Sequence, residues 1–577
     1  MLMLENRADM NTLLDAITLT RADVRPAITY VETDRDPIVV SRAEFEQQTR
    51  RYAHALDALG VGARDLVIMA HTQNLESIFA FWGALRLGAI PSMFPTLTEK
   101  LDPEIYQRSM AELASSSGVR AVLTTDEFAP SLRGLLACTV IASSEIAAAL
   151  KGEPAHAPSA LSAPDPDAIA FLQHSSGTTG LQKGVALSHR AVLNQIASYS
   201  TALELNESDA VVSWLPLYHD MGLIAGFLMP LIQGIPLILM SPFDWVSHPA
   251  LLLKAIDAYG ATLCWLPNFA YNHCARRIRQ RDSDGLSLRS MRLFINCSEP
   301  VYAESHALFA ERFAPNGITP EMLAVSYAMA ENTFAVTQTP IGTLPRHDIV
   351  DRARLEGDRI AEPVPADHPN AQIRVSCGTP IAGSRVRVVS PEDPSQPLPE
   401  RHVGELAVQS DCMLTEYYRR PDLNPFRDGW YLTGDYGYIA DGEVYVVGRK
   451  KDLIIHAGKN IFPQDIEAIV NDVPGVHAGR AVVFGVPDAR EGTELIAIVA
   501  EVRADEVQPH AQISAAIRQA VARSASVSAA YVQLVDSKWL IKTSSGKIAR
   551  AANRDKWLAE RAAQTSVPSA TPHRGTE

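Results

Sequence analysis

Cysteine is scarce in this chain, and the few cysteines are not clustered. Six occur in 577 residues, and no two of them form a C-x-x-C pair. A disulfide framework or a zinc site needs cysteines at short, regular spacing. We therefore expect neither, and the scattered thiols fit a reducing cytoplasm.

The chain also lacks an excess of positive charge. Its 66 acidic residues outnumber its 52 lysines and arginines, and the formal net charge is −14. Nucleic-acid-binding surfaces concentrate lysine and arginine. We therefore expect no nucleic-acid partner, although single positive sites remain compatible with this balance.

The N-terminus lacks the apolar core of a secretion signal. Glu5, Arg7 and Asp9 lie where that core would have to be unbroken. Secretion is therefore not predicted, and we expect a cytoplasmic protein.

Long apolar runs are almost missing. One uncharged run, Met221–Pro242, approaches the length of a membrane span. Two prolines, a glutamine and a glycine divide it. The pattern predicts a buried helix up to about Ile232 and then a buried strand, Leu237–Met240, rather than a membrane span.

The order of apolar segments indicates the fold class. A chain of this length exceeds what one hydrophobic core serves, so we expect a large multilayered domain and a smaller one. Short apolar strands such as Ala121–Thr124 and Leu293–Cys297 alternate with amphipathic helices, which predicts an α/β fold with mainly parallel sheets. After Glu331, strands such as Gly404–Val408 indicate a more antiparallel subdomain. The predicted domains are a large N-terminal domain (1–450), a small mobile α+β C-terminal domain (451–560) and a disordered tail (561–577).

A loop rich in glycine and hydroxyl side chains follows an apolar segment near residue 172. Its six small residues are Ser175, Ser176, Gly177, Thr178, Thr179 and Gly180, and Lys183 follows them. Glycines let backbone N–H groups approach an anion, hydroxyls donate hydrogen bonds, and the lysine adds a positive charge. An ordinary turn is the alternative interpretation. The pattern is not G-x-x-x-x-G-K-[ST], so a P-loop NTPase is not predicted.

Six motifs together resemble the adenylate-forming acyl-acid ligases, which include acyl-CoA synthetases, peptide-synthetase adenylation domains and luciferases. They occur in the family's order over nearly the whole chain. The motifs are S-S-G-T-T-G-L-Q-K-G (175–184), W-L-P-L-Y-H-D-M-G-L (214–223), S-Y-A-M-A-E-N-T (326–333), W-Y-L-T-G-D (430–435), G-R-K-K-D (448–452) and K-T-S-S-G-K-I (542–548).

The resemblance implies a site for ATP and Mg²⁺. The loop and Lys183 would hold the departing pyrophosphate, and Thr178 and Glu331 match the magnesium position of the family. The implied nucleotide contacts are Asp435 to ribose, Tyr327 stacked on adenine, the loop Ser298-Glu299-Pro300 along the adenine face, and Arg449 to ribose or phosphate. For Glu331, a solvated acid at a helix start is the alternative. An isolated tyrosine or aspartate is more often a core or turn residue.

The resemblance also implies catalytic and hinge residues. Lys547 would bridge the substrate carboxylate and the α-phosphate, whereas a solvated lysine in a Ser-Gly turn is the alternative. Lys451 matches the hinge position between the domains. His219 would line the wall between the acyl pocket and the nucleotide, although a plain buried histidine fits nearly as well.

Departures from the pattern bear on the acceptor. Ala328 and Ile541 replace a frequent glycine and proline without removing a functional group. The segment between Thr333 and Cys377 is longer than in typical acyl-CoA synthetases, and in this the chain resembles the fatty acyl-AMP ligases. A solvent-exposed loop without functional consequence is the alternative, since loops tolerate added length. The expected reaction is activation of a medium- or long-chain fatty acid as acyl-AMP and transfer to the phosphopantetheine of an acyl carrier protein. The alternatives are a fatty acyl-CoA synthetase, which uses CoA, and a catalytically silent scaffold protein.

Overall fold

The computed structural model describes residues 10–97, 103–151, 165–174, 183–488, 493–503, 508–525, 527–543 and 546–565. These residues belong to two compact units, which divide between Lys450 and Lys451.

A nine-stranded sheet forms the centre of the first unit. Its strand order is β17-β14-β13-β12-β11-β9-β10-β1-β2. The neighbours from β1 to β13 run parallel, while β2, β14 and β17 pair antiparallel at the two ends. The strands are β1 (Pro26–Val31), β2 (Ile38–Ser41), β9 (Val211–Ser213), β10 (Leu237–Met240), β11 (Leu263–Leu266), β12 (Leu293–Asn296), β13 (Leu323–Ala328), β14 (Ala335–Gln338) and β17 (Thr379–Pro380). Most central strands are apolar throughout because helices cover both faces of a parallel sheet.

Two smaller sheets complete this layer of the first unit. The order β4-β3-β5-β6 is all parallel, and the order β20-β8-β7 is antiparallel. Their strands are β3 (Leu66–Ala70), β4 (Ile90–Phe94), β5 (Ala121–Thr124), β6 (Thr139–Ala142), β7 (Ile169–His174), β8 (Gly184–Ser188) and β20 (Glu416–Tyr417).

Helices connect these strands and cover the sheets. They are α1 (Leu13–Leu19), α2 (Arg42–Ala58), α3 (Leu75–Arg86), α4 (Pro103–Ser117), α5 (Ala129–Arg133), α6 (Ser143–Ala149), α7 (His189–Ala202), α8 (Met229–Gln233), α9 (Pro242–Ser247), α10 (Ala250–Tyr259), α11 (Asn268–Arg277), α12 (Gln280–Ser283) and α13 (Ala303–Phe313). At the α2–α3 crossing, a Cβ on Gly83 would come within 2.8 Å of Tyr52 Cβ. Only glycine therefore allows this close approach.

The uncharged run at 221–242 is buried in the first unit. Residues Met221–Leu228 form a π-helix, which continues into α8 and is followed by β10. The predicted buried helix and strand are present, but the first two turns are wider than an α-helix. Within the described residues, no helix is long and apolar enough to cross a membrane.

The later part of the first unit is antiparallel, as predicted. A five-stranded sheet has the order β18-β19-β22-β21, with β23 paired to β22. Its strands are β18 (Ser384–Val389), β19 (Gly404–Ser410), β21 (Phe426–Arg427), β22 (Trp430–Ala440) and β23 (Glu443–Arg449).

The charged segment at 342–372 is ordered, although its sequence shows little periodicity. It forms β15 (His347–Asp351), α14 (Arg352–Asp358) and, from its end, β16 (Ala371–Val375), and β15 pairs antiparallel with β16. Asp348 accepts hydrogen bonds from the Tyr438 hydroxyl at 2.8 Å and from Arg401 at 3.0 Å. These polar contacts tie the segment to the five-stranded sheet, and Val350 and Leu355 add buried apolar side chains. So few buried apolar residues do not form a periodic pattern in the sequence.

The second unit is α+β. Its three-stranded sheet has the order β26-β27-β28, and β24 pairs with β25. Its elements are β24 (Ile454–His456), β25 (Lys459–Ile461), α15 (Pro463–Asn471), β26 (Val476–Asp488), β27 (Thr493–Val502), α16 (His510–Ala525), β28 (Ala529–Val535) and α17 (Arg550–Thr565). Helix α17 includes residues 561–565, so the predicted disordered tail begins too early. Its remainder, 566–577, lies outside the described residues.

Candidate active site

The predicted phosphate loop lies between β7 and β8. Strand β7 ends at His174, and β8 begins at Gly184, its partner across the strand pair. Residues 175–180 lie outside the described residues, so their role remains a prediction. Lys183 is described and lies half-buried directly before β8.

His174 is a neutral side chain at the end of β7. Its Nδ1 lies 2.9 Å from Ser92 Oγ, and its ring stands edge-on to Phe94. Burial lowers the pKa of His174 to about 4. It therefore carries no charge at neutral pH, and Lys183 supplies positive charge at this end of the strand pair.

Tyr327, Asp435 and Arg449 come together where β13 meets β22 and β23. The Tyr327 hydroxyl donates to Asp435 Oδ2 at 2.7 Å, and Arg449 Nε lies 3.5 Å from Asp435 Oδ1. Burial and, secondly, the charge of Asp435 raise the pKa of Tyr327 well above its usual value, so the hydroxyl stays a donor. A carboxylate has about four lone-pair positions, and the Asp435 side chain is 17% exposed. It can therefore accept further hydrogen bonds from a ligand.

The T-G-D sequence fixes the position of Asp435. Its backbone N–H donates to Thr433 Oγ1 at 3.0 Å, and its register partner across β22 and β23 is Arg449. Gly434 has φ +73° and donates its N–H to Glu405 Oε1 at 3.0 Å. This left-handed backbone favours glycine. The T-G-D sequence therefore places the carboxylate at an irregularity within β22, where the register with β19 shifts.

A second cluster joins Lys183, Glu331 and two tyrosines. The Tyr417 hydroxyl donates to Glu331 Oε1 at 2.9 Å and lies 2.8 Å from the Tyr431 hydroxyl. The Lys183 Nζ lies 4.8 Å from the centre of the Tyr417 ring, a cation–π contact. Burial and, next, the charge of Glu331 raise the pKa of Tyr417, so it remains protonated.

The turn that carries Glu331 is fixed by backbone hydrogen bonds. Glu331 lies in a short 3₁₀ helix, Ala330–Asn332, and not at the start of a longer helix. Its carbonyl accepts from Leu414 N at 2.8 Å. Thr333 has φ +63° and donates its hydroxyl to Cys412 O at 2.7 Å. A non-glycine residue with this φ costs free energy that its surroundings must offset, which is common at functional sites.

The loop predicted along the adenine face follows β12. Ser298 has φ +69° and is half-buried. Glu299 Oε2 accepts from Phe269 N at 3.0 Å, in the first turn of α11. A carboxylate at a helix N-terminus is favoured by the helix dipole. Glu299 therefore anchors the loop to α11, while the contact of Ser298, Glu299 and Pro300 with adenine remains a prediction.

His219 lies just before the π-helix. It is half-buried, its ring centre is 4.9 Å from that of Tyr218, and its carbonyl accepts from Leu223 N at 2.7 Å. π-helical turns occur frequently at functional sites. The geometry is compatible with the predicted wall position, which remains a prediction.

Lys547 and Lys451 belong to the second unit. Lys547 is half-buried beside the bridge between Lys542 and Ile548, and its carbonyl accepts from Thr543 N at 2.7 Å. Lys451 is exposed in the 3₁₀ turn Lys450–Asp452. The catalytic role of Lys547 and the hinge role of Lys451 remain predictions.

The donor set around Glu331 fits a magnesium ion. Among the described residues, no group of three or more His, Cys, Asp or Glu side chains can hold a metal ion. Mg²⁺ is bound in nucleotide sites by one or two carboxylates together with substrate phosphates and water. The single oriented carboxylate of Glu331, which shares its contact with Tyr417 with the predicted phosphate ligand Lys183, matches that requirement.

Comparison with known proteins identifies the family. A family model described as AMP-binding enzyme matches residues 19–418, more than half of the chain. The chain belongs to the AMP-binding enzymes.

Relatives with curated names match most of the length of this chain. The long-chain-fatty-acid–AMP ligase FadD32 of Mycolicibacterium smegmatis is 32% identical, with 91% of this chain and 90% of that protein covered. The medium-chain-fatty-acid–[acyl-carrier-protein] ligase JamA of Moorena producens is 30% identical, with 96% of each chain covered. A putative acyl-CoA synthetase of Caulobacter vibrioides is 30% identical, with 90% of each covered.

A solved structure of similar fold also comes from the adenylate-forming ligases. It comes from work on fatty acyl-adenylate ligases of E. coli and L. pneumophila, and it is 28% identical with a TM-score of 0.87, covering 96% of this chain and 99% of that one. The predicted family resemblance, the α/β fold class and the assignment as an adenylate-forming ligase are therefore confirmed.

Two residues of the site were missed by sequence reasoning. Tyr417 and Tyr431 contact each other and connect to Glu331. Tyr431 lies in the W-Y-L-T-G-D motif at 430–435, so membership of that motif was its available signal. Tyr417 lies in the stretch T-E-Y-Y-R-R-P at 415–421, whose pairing with β8 becomes visible only in the fold.

Proposed function

We propose that this protein is an ATP- and Mg²⁺-dependent ligase for medium- or long-chain fatty acids. It joins the fatty acid to AMP and releases pyrophosphate, and it then passes the acyl group to the phosphopantetheine thiol of an acyl carrier protein, which forms a thioester and releases AMP. The observation that carries the proposal is the pair of clusters in the first unit, Tyr327-Asp435-Arg449 and Lys183-Tyr417-Glu331. The first cluster offers the Asp435 carboxylate to the hydroxyl groups of ribose. The second cluster offers the Lys183 ammonium group to phosphates and the Glu331 carboxylate to their metal ion.

The first half-reaction brings two anions together. An oxygen of the fatty acid carboxylate bonds to the α-phosphorus of ATP, and the bond to the pyrophosphate oxygen breaks. Lys183 neutralises part of the charge on the phosphates, together with donors of the loop. Glu331 and Thr178 would hold Mg²⁺ together with the phosphates, and the bound ion would supply further charge neutralisation.

The nucleotide is held through its sugar. Asp435 accepts hydrogen bonds from the ribose hydroxyls, while Tyr327 and Arg449 keep the carboxylate oriented. These contacts exist before the chemistry starts, so they contribute to ATP affinity rather than to the rate of the chemical step.

Lys547 serves the same step from the second unit. Its ammonium group stabilises the charge that develops between the substrate carboxylate and the α-phosphate. The thiol needs access to the same acyl carbon in the second half-reaction. The role therefore requires the second unit to change its placement between the two half-reactions, with rotation at Lys451.

Transfer to a carrier protein is proposed over transfer to CoA. Both acceptors present the same thiol, but CoA also carries a 3′-phospho-ADP group that needs a basic binding site. The names of FadD32 and JamA support acyl-AMP formation and carrier transfer. The ordered insertion at 342–372, bonded through Asp348 to the five-stranded sheet, supports the likeness to fatty acyl-AMP ligases. The Caulobacter vibrioides relative favours a second candidate, an acyl-CoA synthetase.

One incubation tests these candidates. The protein is given ATP, Mg²⁺ and fatty acids of several chain lengths, with CoA or a phosphopantetheinylated carrier protein in parallel, and products are resolved by mass. We expect acyl-AMP, pyrophosphate and acyl-carrier with little acyl-CoA. Efficient acyl-CoA formation establishes the second candidate, and no fatty-acid-dependent pyrophosphate release would support a silent scaffold protein.

A further inference from the structure

Tyr417 lies between the positive and negative side chains of the proposed phosphate site. Its ring faces Lys183, at 4.8 Å from Nζ to the ring centre, and its hydroxyl donates to Glu331 Oε1 at 2.9 Å. The side chain is 4% exposed, so neither contact competes with much solvent. One tyrosine thus touches both the cation and the carboxylate on which the proposed phosphate chemistry depends.

The backbone around Tyr417 is held from both sides. In the register of β20 with β8, Tyr417 is the partner of Val185, two residues after Lys183. The neighbouring residues Thr415 and Tyr418 donate their N–H groups to β8 carbonyls, each at 2.8 Å. On the other side, Leu414 N donates to the Glu331 carbonyl. The segment 414–418 therefore fixes the distance between the two charged residues.

The Tyr417 side chain between Lys183 and Glu331 affects how these two charges interact. A lysine and a glutamate in a partly buried site attract each other strongly. If they paired directly, ATP and its metal ion would have to break that pair before binding. The π face of the Tyr417 ring contacts the Lys183 ammonium group, and the Tyr417 hydroxyl donates to one oxygen of the Glu331 carboxylate. Each charged group is therefore held in place without a direct ion pair between them.

We propose that Tyr417 is a positioning residue that keeps Lys183 and Glu331 apart and oriented for phosphate and Mg²⁺. This inference rests on the proposed function, since it assigns those partners to the two charges. The Tyr431 hydroxyl, 2.8 Å from that of Tyr417, fixes the direction of the Tyr417 O–H bond.

Binding of ATP to the full chain, without fatty acid, tests the proposal by calorimetry with Mg²⁺ and with EDTA. Tyr417→Phe keeps the ring but removes the donor to Glu331. We expect ATP affinity with Mg²⁺ to fall about tenfold, the scale of a hydrogen bond to a charged group, with no change in EDTA. Tyr417→Leu removes the spacer too, and affinity should fall in both conditions.

A matched control separates positioning from stability. Tyr438 is buried in the five-stranded sheet, and its hydroxyl donates to Asp348 at 2.8 Å. Tyr438→Phe removes the same kind of tyrosine–carboxylate bond away from the site. It should lower the melting temperature as Tyr417→Phe does, but leave ATP affinity unchanged in both conditions.

The remaining outcomes are decisive. If Tyr417→Phe lowers only the melting temperature, Tyr417 is a structural residue and the inference is wrong. If Tyr417→Leu does not fold, the Tyr417→Phe result stands on its own. In a Glu331→Gln background, Tyr417→Phe should add no further loss, and an additive loss contradicts action through Glu331. A wild-type protein that binds no ATP would instead refute the proposed function itself.

Discussion

Replacing Asp435 with alanine tests the proposed nucleotide site at its sugar end. The Asp435 carboxylate is 17% exposed and already accepts from Tyr327 at 2.7 Å. Two ribose hydroxyls would add two hydrogen bonds to a charged acceptor, each contributing about 1.5 kcal/mol or more. Loss of both should weaken ATP binding by about 3 kcal/mol, which raises the Kd by roughly 150-fold.

The same substitution also affects stability, so a control is needed. Asp435→Ala leaves the buried Tyr327 hydroxyl without its acceptor, at a cost of about 1–3 kcal/mol. Tyr327→Phe removes the same hydrogen bond but keeps the carboxylate. Thermal denaturation should show a loss for both variants, whereas calorimetry should show a much larger loss of ATP affinity for Asp435→Ala than for Tyr327→Phe.

Either of two results would refute this reasoning. If Asp435→Ala binds ATP as tightly as the wild type, the carboxylate does not hold the ribose. If Tyr327→Phe loses as much affinity as Asp435→Ala, the effect comes from the local structure and not from the carboxylate.

Three further predictions concern Lys547, Lys451 and the buried histidines. Lys547→Ala should lower acyl-AMP formation by about a hundredfold or more, while ATP affinity and melting temperature stay close to wild type. Rapid-quench kinetics measures the first quantity, and calorimetry measures the other two. Unchanged adenylation would refute the role of Lys547. Lys451→Pro, which fixes φ near −65°, should spare adenylation and block transfer to the thiol, and equal loss of both half-reactions would contradict a hinge there. Burial lowers the pKa values of His174, His189 and His306 to about 4. Because histidine in the unfolded chain titrates near 6.5, the unfolded state takes up protons first, and stability should be full above about pH 6.5 and fall towards pH 4 by on the order of 3 kcal/mol per histidine. Melting temperatures measured from pH 7 to 4.5 check this. His189→Asn retains an acceptor for the Leu13 N–H bond, and its melting temperature should fall less steeply with pH than that of the wild type. An unchanged slope would contradict the role of His189.

Apolar runs predicted much of the fold because burial on both faces leaves a clear sequence pattern. The strands Ala121–Thr124 and Leu237–Met240 have the predicted bounds. Two features of the fold were not predicted. The hairpin of the insertion has little hydrophobic periodicity, and its Asp348 makes polar contacts with the five-stranded sheet. The π-helix at 221–228 consists of apolar residues that would suit an α-helix equally well, so its wider turns could not be predicted from composition.

The site was predictable as a set of residues but not as a set of contacts. Motif residues Tyr327 and Asp435 are 108 positions apart, and their hydrogen bond depends on how two sheets meet. The contact of Lys183 with Tyr417 depends on the pairing of β8 with β20, a two-residue strand that no periodicity reveals. Side-chain contacts of this kind follow from the fold and not from the local sequence.

Arg550 connects separate segments of the second unit through its side chain. Its guanidinium group bonds Asp452 at 2.6 Å, Glu467 at 2.8 Å and the Val483 carbonyl at 2.8 Å. Asp452 adjoins the proposed hinge residue, and Arg550 follows Lys547 by three positions. One side chain therefore joins Asp452, next to the proposed hinge, to the start of α17, three positions after Lys547. If the backbone rotates at residue 451 as proposed, we expect Lys547 to move together with the rest of the second unit.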